Sequence, residues 1–166
     1  MVGKMNSNLS KYKLAILYFI QNCNNVYLGE VKLNKLLYYL DFLSYRDYNK
    51  SVTKETYIKN HFGPTPQNIT TELQELIQDE YITKKKEDHR DSHKTSFNLQ
   101  NKANKIDYGN LFSKDEVVLL KKICETFKNW NTSMIVDQTH LEAPWFYSDF
   151  GQKIDFELSK SIDIIS

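Results

Sequence analysis

Glu30-Val-Lys-Leu-Asn-Lys-Leu-Leu-Tyr-Tyr-Leu-Asp-Phe-Leu-Ser-Tyr-Arg-Asp-Tyr48 decides the fold class. Leu33, Leu36, Leu37, Leu40 and Leu43 recur at helical spacing, and Tyr38, Tyr39, Phe42 and Tyr45 widen the apolar face. Gly29 breaks the chain just before it. Upstream, Leu9 to Cys23 is apolar on almost every side, which predicts a helix buried at the centre of the fold. Residues 1–8 are polar and are expected to form a flexible N-terminus, leaving residues 9–166 as a single helical domain.

Downstream, Gly63-Pro64-Thr65-Pro66 interrupts any regular element. Thr65 suits an N-cap and Pro66 a first helical position, so a third helix is expected from Pro66 to Asp79, burying Ile69, Leu73, Leu76 and Ile77. The period then changes. Tyr81-Ile-Thr83 and Thr95-Ser-Phe-Asn-Leu99 read as short strands around a charged, flexible segment from Lys84 to Lys94, giving a small β-hairpin wing near residues 81–99. Ser113-Lys-Asp-Glu116 is a capping box, with Phe112 and Val117 as its hydrophobic staple. The helix it opens should bury Val117, Leu120, Cys124 and Phe127 and end near Trp130. Thr132 is expected to cap a further helix to His140, Pro144 to stop or restart it, and Asp155 to cap a terminal helix through Ile162. The fold class is therefore mainly α (α+β), a compact multi-helix domain with one wing.

Composition agrees and narrows the function. The 166 residues are 40% hydrophobic and 26% charged, an ordinary globular balance that can bury about 70% of the unfolded surface in one core. Five glycines and three prolines are too few for a loop-rich all-β chain. A net charge of +1, with arginine only at Arg46 and Arg90, leaves few tools for gripping nucleic acid. Cys23 and Cys124 lack C-x-x-C spacing and read as two unpaired core thiols of a cytoplasmic protein. The longest apolar run, Leu14 to Ile20, is far short of the roughly 20 residues of a membrane span, so no membrane partner is expected.

Nucleophile elbows, phosphate-cradling glycine loops and H-E-x-x-H are missing, which lowers the case for an enzyme, and no cofactor is implied. His89 and His93 are four apart but sit in the charged loop. His61, His140 and Glu142 would form a divalent-metal site, and a metal-dependent hydrolase, only if their segments met. Lys84, Lys85, Lys86, Arg90 and Lys94 on the wing make a winged-helix DNA-binding regulator the main alternative, although Glu87, Asp88 and Asp91 dilute their charge to +2. Tyr38, Tyr39, Tyr45 and Tyr48 suit a core or a protein interface better than base stacking.

Three blocks in order, Lys32-Leu-Asn-Lys-Leu-Leu-Tyr-Tyr-Leu-Asp-Phe42, Tyr57-Ile-Lys-Asn-His-Phe-Gly-Pro-Thr-Pro66, and Phe112 to Trp145 ending in Thr139-His-Leu-Glu-Ala-Pro-Trp145, resemble the Panacea domain of SocA-like antitoxins, a family also found in phage-associated proteins. The resemblance spans residues 10–160. It implies a non-enzymatic antitoxin that binds a cognate protein toxin by direct contact, with delivery to an ATP-dependent protease as a further role and DNA only as the alternative partner. On this likeness His61, Gly63, Pro64, Pro66, His140, Glu142, Pro144 and Trp145 are scaffold residues. Lys35, Tyr38, Tyr39 and Phe42, on the side of the second helix taken to be exposed, are the expected toxin contacts. Thr65 stands where many members carry Val after Gly-Pro.

Overall fold

The computed structural model describes residues 8–90 and 92–166, with the backbone alone for His89, Ser92 and His93. Residues 1–7 of the expected flexible terminus at 1–8, the Asp91 charge and the His89 and His93 side chains thus lie outside the described residues. Among the described residues, seven α-helices and two antiparallel hairpins make a mainly helical α+β fold.

Helix α1 (Lys11–Asn22) starts where the Ser10 hydroxyl accepts the Lys13 N–H at 3.2 Å, and it buries Tyr12 and the whole run Leu14–Ile20. Helix α2 (Glu30–Tyr48) follows Gly29 and ends at Asn49, whose φ of +57° is one that asparagine tolerates at a helix C-terminus. The centre of the fold is α2, not α1: it packs on α1, on the helices Lys114–Phe127 and Thr132–His140, on the strand Gly63–Pro66 and on the terminal 3-10 helix Phe156–Ser161. An all-round apolar pattern announces burial, but not which of two buried helices has the most neighbours.

Strands β1 (Tyr57–Asn60) and β2 (Gly63–Pro66) pair with Tyr57 opposite Pro66 and Asn60 opposite Gly63. The predicted helix start at Pro66 is therefore wrong. Pro64 and Pro66 lie two apart on an edge strand, so both missing N–H groups fall on one side, where no ladder bond is needed. Helix α3 (Ile69–Gln78) begins only after Asn68 and buries Ile69, Leu73 and Leu76, leaving Ile77 exposed. The outer edge of β1 is covered by the chain near Gly151, with Gly151 N–H to Lys59 O at 2.9 Å and Ile154 N–H to Tyr57 O at 2.8 Å.

The wing is a longer hairpin than expected. Strands β3 (Ile82–His89) and β4 (Ser92–Leu99) pair over eight residues each, so Lys84–Lys94 is mostly ladder and not flexible loop. Opposite charges such as Glu87 and Lys94 face each other across it, a pairing that supports a strand and that charge density alone conceals. After a 3-10 turn and helix α4 (Tyr108–Leu111), α5 (Lys114–Phe127) opens on the expected capping box, Glu116 N–H to Ser113 Oγ at 3.1 Å and Ser113 N–H to Glu116 Oε2 at 2.9 Å. It ends at Phe127, short of Trp130.

Helix α6 (Thr132–His140) is capped by Asn131 and not by Thr132, and α7 (Ala143–Phe146) carries Pro144 in its first turn. Asp155 caps a 3-10 helix, Phe156–Ser161, in place of an α-helix. Cys23 and Cys124, expected to be separate thiols, are joined in a disulfide with their Cα atoms 5.6 Å apart, linking the end of α1 to α5. Among the described residues no helix is long and apolar enough to cross a membrane.

Candidate functional site

The family blocks converge on one region, where α2 meets the β1–β2 turn and residues 138–150. Lys35, Tyr38, Tyr39 and Phe42 are all completely buried, so the expected exposed contact face of α2 does not exist. The reason is coverage: β2, α6 and the C-terminal 3-10 helix close over that side of α2. Each polar atom brought inside then needs a partner. The Lys35 Nζ donates to Pro64 O at 2.8 Å, and burial pushes its amine down to about 7. Gly63 permits this approach. Its φ is +92°, and a Cβ there would sit 2.6 Å from Lys35 Cε and 2.7 Å from Thr139 Oγ1.

The Tyr38 and Tyr39 hydroxyls donate to Glu142 Oε1 at 3.1 and 3.0 Å, and Gln138 Nε2 reaches Oε2 at 3.5 Å. Glu142 is only 7% exposed and forms no ion pair among the described residues. Burial pushes its carboxyl up to about 7; the tyrosine hydrogen bonds oppose that shift and the Asp163 charge adds to it. Asp41, one turn along α2, is likewise raised by burial, while the Val52 and Thr53 N–H groups and the Tyr57 hydroxyl hold its carboxylate.

Next to this buried cluster the chain forms a firm ledge. The Trp145 ring stacks on His140 with centroids 3.9 Å apart, and its Nε1 donates to Asn60 O at 2.8 Å. Lys59 Nζ donates to Ser148 O at 2.9 Å and lies 4.1 Å from the Trp145 ring centroid and 4.6 Å from that of Phe150. His61 packs on Phe150 at 4.8 Å. His140 is held below its usual value by desolvation. The scaffold residues His61, Gly63, Pro64, His140, Glu142 and Trp145 are thus brought together, with Pro66 ending β2 and Pro144 buried in α7. Among the described residues no group of three or more side chains that could hold a metal ion occurs, and the Glu142 carboxylate accepts hydrogen bonds from two tyrosines.

What sequence reading missed is the ledge's outer surface. Leu141 is 80% exposed, Tyr147 73% and Phe146 61%, with Phe62 and Phe150 also exposed. A cleft of about 660 Å³ lies beside them, lined by Gln138, Leu141, Glu142, Phe146, Tyr147 and Asp163. The available signal was Trp145-Phe-Tyr147 followed by Phe150, a dense aromatic run with neither helical nor strand period and too few residues to bury it. On the wing, Lys84 is tied to Glu30 at 2.6 Å and Lys85 lies 3.5 Å from Glu87, so the proposed basic surface is partly neutralised by its own neighbours.

The model of the SocA-like antitoxin family, Panacea domain, matches residues 33–146, well over half of the chain. The chain belongs to that family. The matched span runs from the first turns of α2 to the end of α7, so it contains the Tyr38–Tyr39–Glu142 cluster and most of the ledge. No curated protein and no solved structure matches the chain.

Proposed function

We propose that this antitoxin-family chain neutralises a protein toxin by direct contact, and that the ledge of Phe62, Leu141, Phe146, Tyr147 and Phe150 is the contact surface. One observation carries the reading: the exposed Leu141, Phe146 and Tyr147 border a cleft that is also lined by Glu142, a largely buried carboxylate with no cation beside it among the described residues. Exposed aromatic clusters on a firm backbone are the usual anchors of protein interfaces. Buried charges are normally paired, and Glu142 together with Asp163 would receive a lysine or arginine of the toxin, flanked by the Phe146 and Tyr147 rings.

The action is occlusion, without bond making. A standard interface hides about 800 Å² per partner, which a domain of this size can supply. Because the surface is preformed, binding spends little on ordering the antitoxin. Delivery of the toxin to an ATP-dependent protease is compatible with the same contact and is not required by it.

The test is co-expression with the product of each neighbouring gene. A lethal neighbour should be silenced by the wild-type chain and by the same chain in protease-deficient cells, and it should regain lethality against Phe146→Ser/Tyr147→Ser. If every lethal neighbour stays lethal with the wild type, the antitoxin reading fails. If the double variant still protects, the ledge is the wrong surface.

A further inference from the structure

Of the strand edges among the described residues, three are closed. The outer side of β1 is bonded to residues 151–154, β2 carries Pro64 and Pro66, and β4 is covered by the chain ahead of α2, where Asn24 Nδ2 donates to Phe97 O at 3.0 Å and the Glu30 N–H to Thr95 Oγ1 at 2.9 Å. The outer edge of β3 is the exception. A bond from the Gln100 N–H to Tyr81 O sets the alternation of the ladder, so Thr83, Lys85 and Glu87 turn their backbone groups to β4 while those of Lys84, Lys86 and Asp88 point away. The outward groups of Lys84 and Lys86 meet no backbone hydrogen-bond partner among the described residues. Thr83, Lys85, Lys86 and Asp88 are exposed.

An open edge is a template for another strand, and a row of lysines normally discourages that pairing by repelling a copy of itself. This edge changes sign. Lys84, Lys85 and Lys86 are followed by Glu87 and Asp88, so the charges are antisymmetric about Lys86. A second copy laid antiparallel, with Lys86 opposite Lys86, puts Lys84 against Asp88 and Lys85 against Glu87, each twice by the two-fold axis. The backbone allows this register, because the outward residues Lys84, Lys86 and Asp88 then fall opposite one another. Lys85 and Glu87 already lie 3.5 Å apart within one copy, and the pairing completes a square in which each of these charges has two neighbours of opposite sign. Sliding one strand by two residues destroys the match, since Glu87 then meets Glu87 or Lys85 meets Lys85.

We infer that the chain forms a two-fold dimer through β3, the hairpins of the two copies joining into one four-stranded antiparallel sheet in the order β4-β3-β3-β4. The contact shares no residue with the ledge, and the inference does not rest on the antitoxin reading.

Analytical ultracentrifugation of the whole chain over a wide range of concentration tests it. The wild type should associate reversibly to a dimer, less tightly as salt is raised. Lys85→Glu and Glu87→Lys each replace two opposite-charge pairs by like-charge pairs, and each should weaken the dimer roughly tenfold or more. An equimolar mixture of those two variants should recover it as a heterodimer, because each then presents the sign that the other lacks. Lys86→Pro removes an outward N–H and no ladder bond to β4, so it should leave a folded monomer with the wild-type unfolding midpoint. Lys86→Thr removes the like-charge contact on the axis and should tighten the dimer. The two Lys86 variants decide the point if a charge-reversed chain fails to fold. A wild type that stays monomeric at its highest concentration, a dimer that survives Lys86→Pro, a mixture of folded charge variants that stays monomeric, or association lost in Phe146→Ser/Tyr147→Ser and kept in Lys86→Pro would each overturn the inference.

Discussion

The inner face of α2 and the 141–150 ledge are built from the same residue types and do opposite work. Tyr38, Tyr39 and Phe42 are fully buried, with both hydroxyls on Glu142 and the Phe42 ring stacked on Phe156 at 4.4 Å. Phe146 and Tyr147 touch each other, ring centroids 5.1 Å apart, and otherwise face solvent. Aromatic residues on α2 are satisfied, so changing them should cost folding. The Phe146 and Tyr147 rings on the ledge are largely exposed, so changing these two should cost binding and little folding.

The contrast breaks most visibly at Phe42. Phe42→Ala should lower unfolding stability by about 3–5 kcal/mol through the cavity it leaves, as read by chemical denaturation. A loss under 1 kcal/mol would mean that α2 is not the core. Phe146→Ser/Tyr147→Ser should weaken toxin binding by about 2 kcal/mol or more, roughly 30-fold, while its unfolding midpoint stays at the wild-type value. A shifted midpoint with intact binding would reverse the assignment of the two regions.

Glu142 sharpens the comparison because it belongs to both regions. Its folded carboxyl titrates near 7, above the ordinary value of 4.5, so its protonated form favours folding. That contribution is fully present below about pH 4.5 and is lost as pH climbs through 7, on the order of 3 kcal/mol. Glu142→Gln, neutral throughout, should therefore flatten this part of the stability profile and be more stable than wild type at pH 8. It should also weaken toxin binding, because the cation-receiving charge is gone. Smallest of all, Tyr39→Phe should cost about 1 kcal/mol of stability, one hydrogen bond to Glu142. It should leave the ledge's binding unchanged.

Both long helices and the fold class were legible from periodicity, and the capping box located the start of α5 because its two reciprocal hydrogen bonds are local. Gly63-Pro64-Thr65-Pro66, expected to interrupt any regular element, is instead strand β2, and only the positive φ at Gly63 reflects the local demand that its glycine suggests. Pro66 misled because a Thr-Pro pair satisfies the same local rules in an edge strand as at a helix start, and only the distant pairing with Tyr57 decides between them. The disulfide depended on bringing residues 101 apart in sequence together, which spacing does not reveal.

The family blocks converge on the region proposed for contact, but the α2 residues expected to be exposed there are buried. A helix apolar over most of its circumference does not say which face its neighbours cover, and the Lys35, Tyr38, Tyr39 and Phe42 face is closed by elements up to 120 residues away in the chain. The ledge was hidden for the complementary reason: it has no period at all.

Hydrogen exchange on the chain, alone and with a toxin that it is found to neutralise, tests the central claim most directly. Protection should rise across residues 60–63 and 141–150 on complex formation, with amides 33–43 already slow in the free protein and unchanged. New protection confined to the wing or to α5, with 141–150 exchanging as before, would contradict the account.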